Sequence, residues 1–279
     1  MNHLRTKAGL LAAPLILGFL IFYILPFGGS VVYSLFTTTR LTNFVGLTNY
    51  AEALQNSFFR LAYANTMRFS LLSVPLLVVL SILLAFLLFS LAERASFAKS
   101  AFLIPLLMPS AALVAFWDMA FIKGLGIGAV ETGGTGGTGG AMIPVDLFFL
   151  WKNIGICALI LTGRMMAIPK EIFEAAEMDG ADKLRKHWYI TLPSVVPAIF
   201  FAAIFGLVQS FKVYKEVFLL YGAYPQNSLY FMQHNVNNKF WKLDYPSLSA
   251  GSVLFAAGLL LLVAAVFGCY WLAMKRRGD

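Results

Sequence analysis

The residues best placed to do chemistry form one polar run inside an apolar stretch: Gln209-Ser210-Phe211-Lys212-Val213-Tyr214-Lys215-Glu216. Phe211 and Tyr214 offer flat apolar faces to a ligand. Gln209 and Ser210 can hydrogen-bond hydroxyls, and Lys212 and Lys215 bring cations that favour an anionic one. Ionisable side chains in a membrane span face a bundle interior or an aqueous cavity, because lipid exposure costs several kcal/mol. The bland alternative is a Lys212–Glu216 pair four residues apart with Lys215 snorkelling outward. Lys152, Arg164 and Asp118 are the other charges within apolar stretches. His3, His187 and His234 have no metal-ligand spacing, and Cys157 and Cys269 read as inert packing residues. No catalytic residue, metal or cofactor is assigned to this chain.

The elements that must hold this run are membrane helices. The chain is 59% hydrophobic and 12% charged, with mean hydropathy +0.78. Residues 8–39, 69–92, 100–117 and 245–274 contain no Asp, Glu, Lys or Arg. Crossing the hydrocarbon core takes about 20 apolar residues, and only helices or closed barrels satisfy their backbone there. The reading is an all-α integral membrane protein forming one domain over 1–279, with six transmembrane helices near 9–35, 67–91, 100–122, 147–167, 194–221 and 246–273. The first lacks a small-residue exit and is expected to be retained. Residues 40–66 read as an outer loop with an interfacial helix running to Asn65-Thr66. Pro105 and Pro109 punctuate the third span.

Arg5, Lys7, Arg94, Lys99, Lys170, Lys183, Arg185, Lys186, Lys275, Arg276 and Arg277 fall on one side, while Arg40, Arg60, Lys123, Lys239 and Lys242 fall on the other. The excess of basic residues in cytoplasmic loops puts both termini inside. The +8 balance follows from topology, and no nucleic acid is implied. Residues 132–140, three repeats of Thr-Gly-Gly, read as a flexible, engineered-looking linker. They cannot cradle phosphate, since no strand precedes them and no Lys follows. No phosphate-loop motif occurs anywhere, so the chain is not expected to hydrolyse nucleotide by itself.

Between the fourth and fifth spans, 168–193 form a polar island. Pro169 suits the first helical position, Lys170–Met178 are strong helix formers, and Glu171, Glu174 and Glu177 load the helix with acid. Gly180 is the expected stop, and Asp182 the cap of a second helix. Small alanines at 175 and 176 would let another protein approach the backbone closely; an ordinary solvated loop helix is the bland reading.

Glu174-Ala175-Ala176, Asp179-Gly180-Ala181, Ile190 and Leu192-Pro193 resemble the EAA loop of bacterial ABC importer permeases. Phe44-Val45-Gly46-Leu47 with Asn49-Tyr50, Asn65-Thr66 and Ile168-Pro169-Lys170-Glu171 are similar to the carbohydrate branch, nearer the F-type than the G-type maltose permease partner. The resemblance implies a type I importer fold in the bacterial inner membrane, half of a permease heterodimer embedded in lipid. It implies two cytosolic ATPase subunits that bind ATP and Mg, an extracytoplasmic solute-binding protein, and alternating access to a saccharide. It assigns Glu174, Ala175, Ala176, Asp179, Gly180, His187 and Trp188 to ATPase coupling. His187 stands where the family usually has Phe, so either Trp188 or His187 itself serves as the aromatic anchor. The rival class is an ion-gradient-driven secondary transporter; it predicts inverted repeats and intramembrane carboxylates, of which the sequence offers only Asp118 besides Glu216.

Overall fold

The computed structural model describes residues 13–91, 101–124 and 142–275. The linker at 132–140 and the basic residues Arg5, Lys7, Arg94, Lys99, Arg276 and Arg277 lie outside the described residues. The helices are α1 (Ala13–Tyr33), α2 (Thr48–Gln55), α3 (Ser57–Ser90), α4 (Ile104–Leu107), α5 (Ser110–Trp117), α6 (Met142–Met166), α7 (Lys170–Met178), α8 (Lys183–Lys186), α9 (Val196–Lys212), α10 (Tyr214–Tyr221), α11 (Met232–Trp241) and α12 (Tyr245–Lys275). Among the described residues extended pairing is limited to one isolated bridge, Phe36 to Phe44.

Among the described residues, five segments are helices long and apolar enough to cross a membrane: α1, α3, α6, α9 with α10, and Tyr245–Leu272 of α12. The span expected at 100–122 is instead interrupted. Met108 and Pro109 are extended (ψ 144° and 135°), separating α4 from α5, and a π-helical stretch Asp118–Lys123 follows. The cause is local, since a proline ring clashes with a helical residue before it. The interfacial helix expected to reach Thr66 ends at Gln55. Asn65 and Thr66 lie within α3, whose 34 residues extend about 50 Å, well beyond a bilayer core of about 30 Å.

The chain divides into two compact units. In the unit that contains residues up to Arg60 and Asn235–Leu259, a turn carries much of the order. Gly46 has φ +59°, the left-handed region that glycine enters without strain. The Asn49 amide donates to the carbonyls of Ser34 (2.8 Å) and Phe36 (2.9 Å), and the Tyr50 hydroxyl meets Ser34 Oγ at 2.6 Å. The Gly46, Asn49 and Tyr50 signature is thus a turn-fixing device.

In the unit of Leu61–His234 and the residues from Leu260, the core runs along α3, α6 and α9. One cluster joins Phe69, Val74 and Leu77 with Phe149, Cys157, Ala202 and Val217. A second joins Ala85 and Leu88 with Ala158, Leu161, Met165, Val195 and Ala198. Small residues on α6 and α9 let the backbones approach, the usual basis of helix association in lipid. Gly155 is required by such an approach: a Cβ there would stand 2.0 Å from the Phe102 carbonyl oxygen. Asn65 donates to the carbonyls of Asn227 (2.6 Å) and Tyr230 (3.1 Å), and Thr66 Oγ accepts from the Met232 amide (2.8 Å). These two residues fasten the 227–232 loop to α3.

Candidate functional site

The polar island folds as two short helices. Pro169 takes the N-cap position (ψ 137°), one residue before the position expected for it, and Lys170 opens α7. The helix closes on Gly180 at φ +77°, with Ala181 N–H donating to Ala176 O (2.9 Å) and Gly180 N–H to Glu177 O (3.0 Å). That double bond is the Schellman stop that only a residue at ease in the left-handed region supports cheaply. Asp182 caps α8 by accepting from the Arg185 amide at 2.8 Å. Lys186 ion-pairs with Glu177, tying the two helices and holding the Glu177 carboxyl below the usual range.

Two aromatic contacts seat the pair on the end of α3. Phe173 lies 6.5 Å from Phe89, and His187 meets Phe86 edge to face at 5.0 Å. His187 Nδ1 is also 3.4 Å from Thr191 Oγ1. Residues His187–Thr191 form a π-helical turn that turns Trp188 and Tyr189 outward. His187 therefore packs in the inward aromatic position, and Trp188 does not. Ala176 is half-buried, whereas Glu174, Ala175, Asp179 and Gly180 are exposed. The outer surface is apolar: Met178 is 90% exposed, Tyr189 79%, Leu184 70% and Trp188 63%. Four large apolar side chains thus stand bare on one short helix pair.

The run in the fifth span is more committed. Ser210 is buried, its hydroxyl 2.8 Å from Ser70 Oγ and 2.7 Å from Leu207 O. Tyr214 stands edge-on to the His234 ring at 4.6 Å. Gln209 and Phe211 are half-buried, and Lys212 and Lys215 are exposed. The alternative Lys212–Glu216 pair does not form: Glu216, 4% exposed, takes Lys152 Nζ of α6 at 2.5 Å. Sequence reading missed this partner because it comes from 64 residues away. Asp146 was also missed. It sits in the first turns of α6, earlier than that span was expected to begin, and accepts from Ser73 Oγ at 2.6 Å. A cleft of about 360 Å³ opens beside it, lined by Asn65, Arg68, Phe69, Asn227 and Ser228 but by none of the run's residues.

No family model matches the chain. It is 30% identical over 228 residues to the multiple sugar-binding transport system permease protein MsmF of Streptococcus mutans, covering 78% of each chain. This chain belongs to the carbohydrate-type, binding-protein-dependent ABC importer permeases. It is also 27% identical over 274 residues to the trehalose/maltose permease MalF of Thermococcus litoralis, covering 91% of this chain and 90% of the relative. The sn-glycerol-3-phosphate permease UgpA of Yersinia pestis is 27% identical over 255 residues, with 87% and 85% covered. A bacterial ABC transporter involved in importing the acidic polysaccharide alginate superposes with TM-score 0.76 at 20% identity, covering 96% of this permease and 97% of that chain. The likeness shows that the all-α importer fold is shared. The permease is thus a multi-pass membrane transport subunit with the F-type partner's character.

Proposed function

We propose that this permease is one half of a saccharide importer driven by ATP hydrolysis in two cytosolic subunits that dock on α7 and α8. The observation that carries the reading is the exposed apolar set Met178, Leu184, Trp188 and Tyr189 on a helix pair tied together by the Asp182 cap and the Lys186–Glu177 ion pair. In this reading ATP and Mg reside on the ATPases, a second, homologous permease completes the pathway, and an extracytoplasmic binding protein delivers the sugar. Both termini are cytoplasmic, in the inner membrane. Glu174, Ala175, Ala176, Asp179 and Gly180 form the face read by the ATPase cleft, with His187 as the inward anchor and Trp188 as an outward contact.

Gln209, Phe211, Lys212, Tyr214 and Lys215 belong to the sugar pathway, with Ser210 fixing the register of α9 against α3. The exposed Lys212 and Lys215 suit an acidic saccharide. Among the relatives, one is named for an anionic substrate (sn-glycerol-3-phosphate) and others for sugars or trehalose/maltose. The test is transport by the permease pair reconstituted with its ATPases and binding protein. Uptake should require hydrolysable ATP, and an ATP-independent uptake that follows an ion gradient would overturn the proposal. In the same assay, Lys215→Asp should shift preference from acidic toward neutral saccharides. An unchanged preference removes the acidic-substrate reading alone.

A further inference from the structure

We infer that Lys152 and Glu216 form a positioning pair that locks the two spans flanking the cytoplasmic helix pair into one lever. The inference rests on the proposed ATPase docking and names the part of the permease that would carry its motion.

The lever begins with connectivity. α6 ends at Met166, three residues before Pro169, and α9 begins at Val196, two residues after Ser194. Whatever displaces α7 and α8 therefore pulls on both spans at once. For the motion to reach the other side of the membrane, the spans must not slide or splay. Near the helix pair, Arg164 Nε donates to the Ser194 carbonyl at 3.2 Å. In the middle, Cys157 and Ala158 pack among Ala198 and Ala202 in the two apolar clusters. At the far end stands Lys152–Glu216, at 2.5 Å, with side chains 15% and 5% exposed. Lys152 and Arg164 are about 18 Å apart along α6. The two polar ties thus bracket the apolar contact.

Charge makes the outer tie directional in a way apolar contacts are not. Apolar faces in lipid gain little from one another that lipid does not also supply. An ion pair shielded from water has no alternative partner, so separating it leaves a bare charge in low dielectric. Such pairs add little net stability over apolar residues but fix register strongly. α9 passes into α10 at Val213, whose backbone stays right-handed helical (φ −60°, ψ −22°). Lys152 holds Glu216 in the first turn of α10, just past that junction, so α10 follows α6.

Spin labels test this on the full chain in lipid nanodiscs, with Cys157 and Cys269 replaced by alanine. One label pair at Leu147→Cys and Leu219→Cys reads the outer ends; a second at Met166→Cys and Phe201→Cys reads the inner ends. The native pair should give narrow distances at both positions. Lys152→Met, or the near-isosteric Glu216→Gln if the first fails to fold, should at least double the outer width and leave the inner one unchanged. The exchange Lys152→Glu with Glu216→Lys should restore the narrow outer distance. In the reconstituted importer, Lys152→Met should recruit ATPase normally yet move at least fivefold less sugar per ATP. Unchanged outer widths, or an exchange as broad as the single variants, overturn the pair. A native chain that narrows as expected but recruits no ATPase would overturn the docking proposal and spare the clamp.

Discussion

The helix pair α7–α8 and the polar run of α9 and α10 contain similar numbers of conspicuous residues and spend them in opposite ways. In α7 and α8 the polar groups serve the local fold. Asp182 caps, Gly180 stops, and Lys186 holds Glu177, leaving large apolar side chains exposed. In 209–216 the polar groups hold distant helices. Ser210 meets Ser70 and Glu216 meets Lys152, so fewer side chains remain for a ligand. A conspicuous residue in a span is therefore as much a cross-helix tie as a substrate contact. A loop helix pair with bare aromatics is what the proposed docking of the ATPase rests on.

The largest test of that contrast is to strip the bare surface. Trp188→Ala with Tyr189→Ala should weaken ATPase recruitment about a thousandfold, since buried aromatic anchors contribute about 2 kcal/mol or more each. Thermal stability in detergent should change by less than about 0.5 kcal/mol, as for other surface sites. A comparable loss of stability would mean that the aromatics belong to the fold, and the contrast would break.

Next in size is a pH effect on the buried side of the contrast. His234 is fully buried, its Nδ1 accepting from the Phe231 amide at 3.1 Å, and burial holds its pKa down to about 4. The unfolded chain binds its proton near 6.5. Stability is thus intact above about 6.5 and is lost as pH falls toward 4, by about 3 kcal/mol in all. Unfolding of His234→Gln across pH 7 to 4 should lose most of this slope. A variant with the native slope would place the acid sensitivity elsewhere.

A smaller effect is expected at Gly180. Gly180→Val forces a β-branched residue to φ +77° and should cost about 1–2 kcal/mol. Recruitment should fall as well, because the relation of α7 to α8 changes. Smallest is Ser210→Ala, which removes one interhelical hydrogen bond and about 0.6 kcal/mol. Its preference among saccharides should stay native; a changed preference would move Ser210 from tie to ligand and narrow the contrast.

What could be read in advance follows the same division. The Gly180 stop and the Asp182 cap depend on residues within a turn or two, and both were legible. The all-helical membrane class followed from uncharged runs. Pro105 and Pro109 were visible, but a proline alone does not say whether a span bends or separates; the extended backbone at Met108 separates it here. Partners of Glu216, Ser210 and Asp146 lie 64, 140 and 73 residues away. One chain's order does not encode which distant helix face they meet. The packing of His187 against Phe86 likewise joins residues from distant helices and was not legible in advance.

The most direct test of the central claim is a site-directed crosslink from Met178→Cys, the most exposed of the four outward apolar positions, to cysteines placed around the cleft of the ATPase in membranes. The account predicts a specific crosslink that halts ATP-driven uptake and is abolished when Trp188 and Tyr189 are both alanine. Full uptake by a complex in which Met178→Cys reaches no ATPase position, with Trp188 and Tyr189 replaced at no cost, would contradict it.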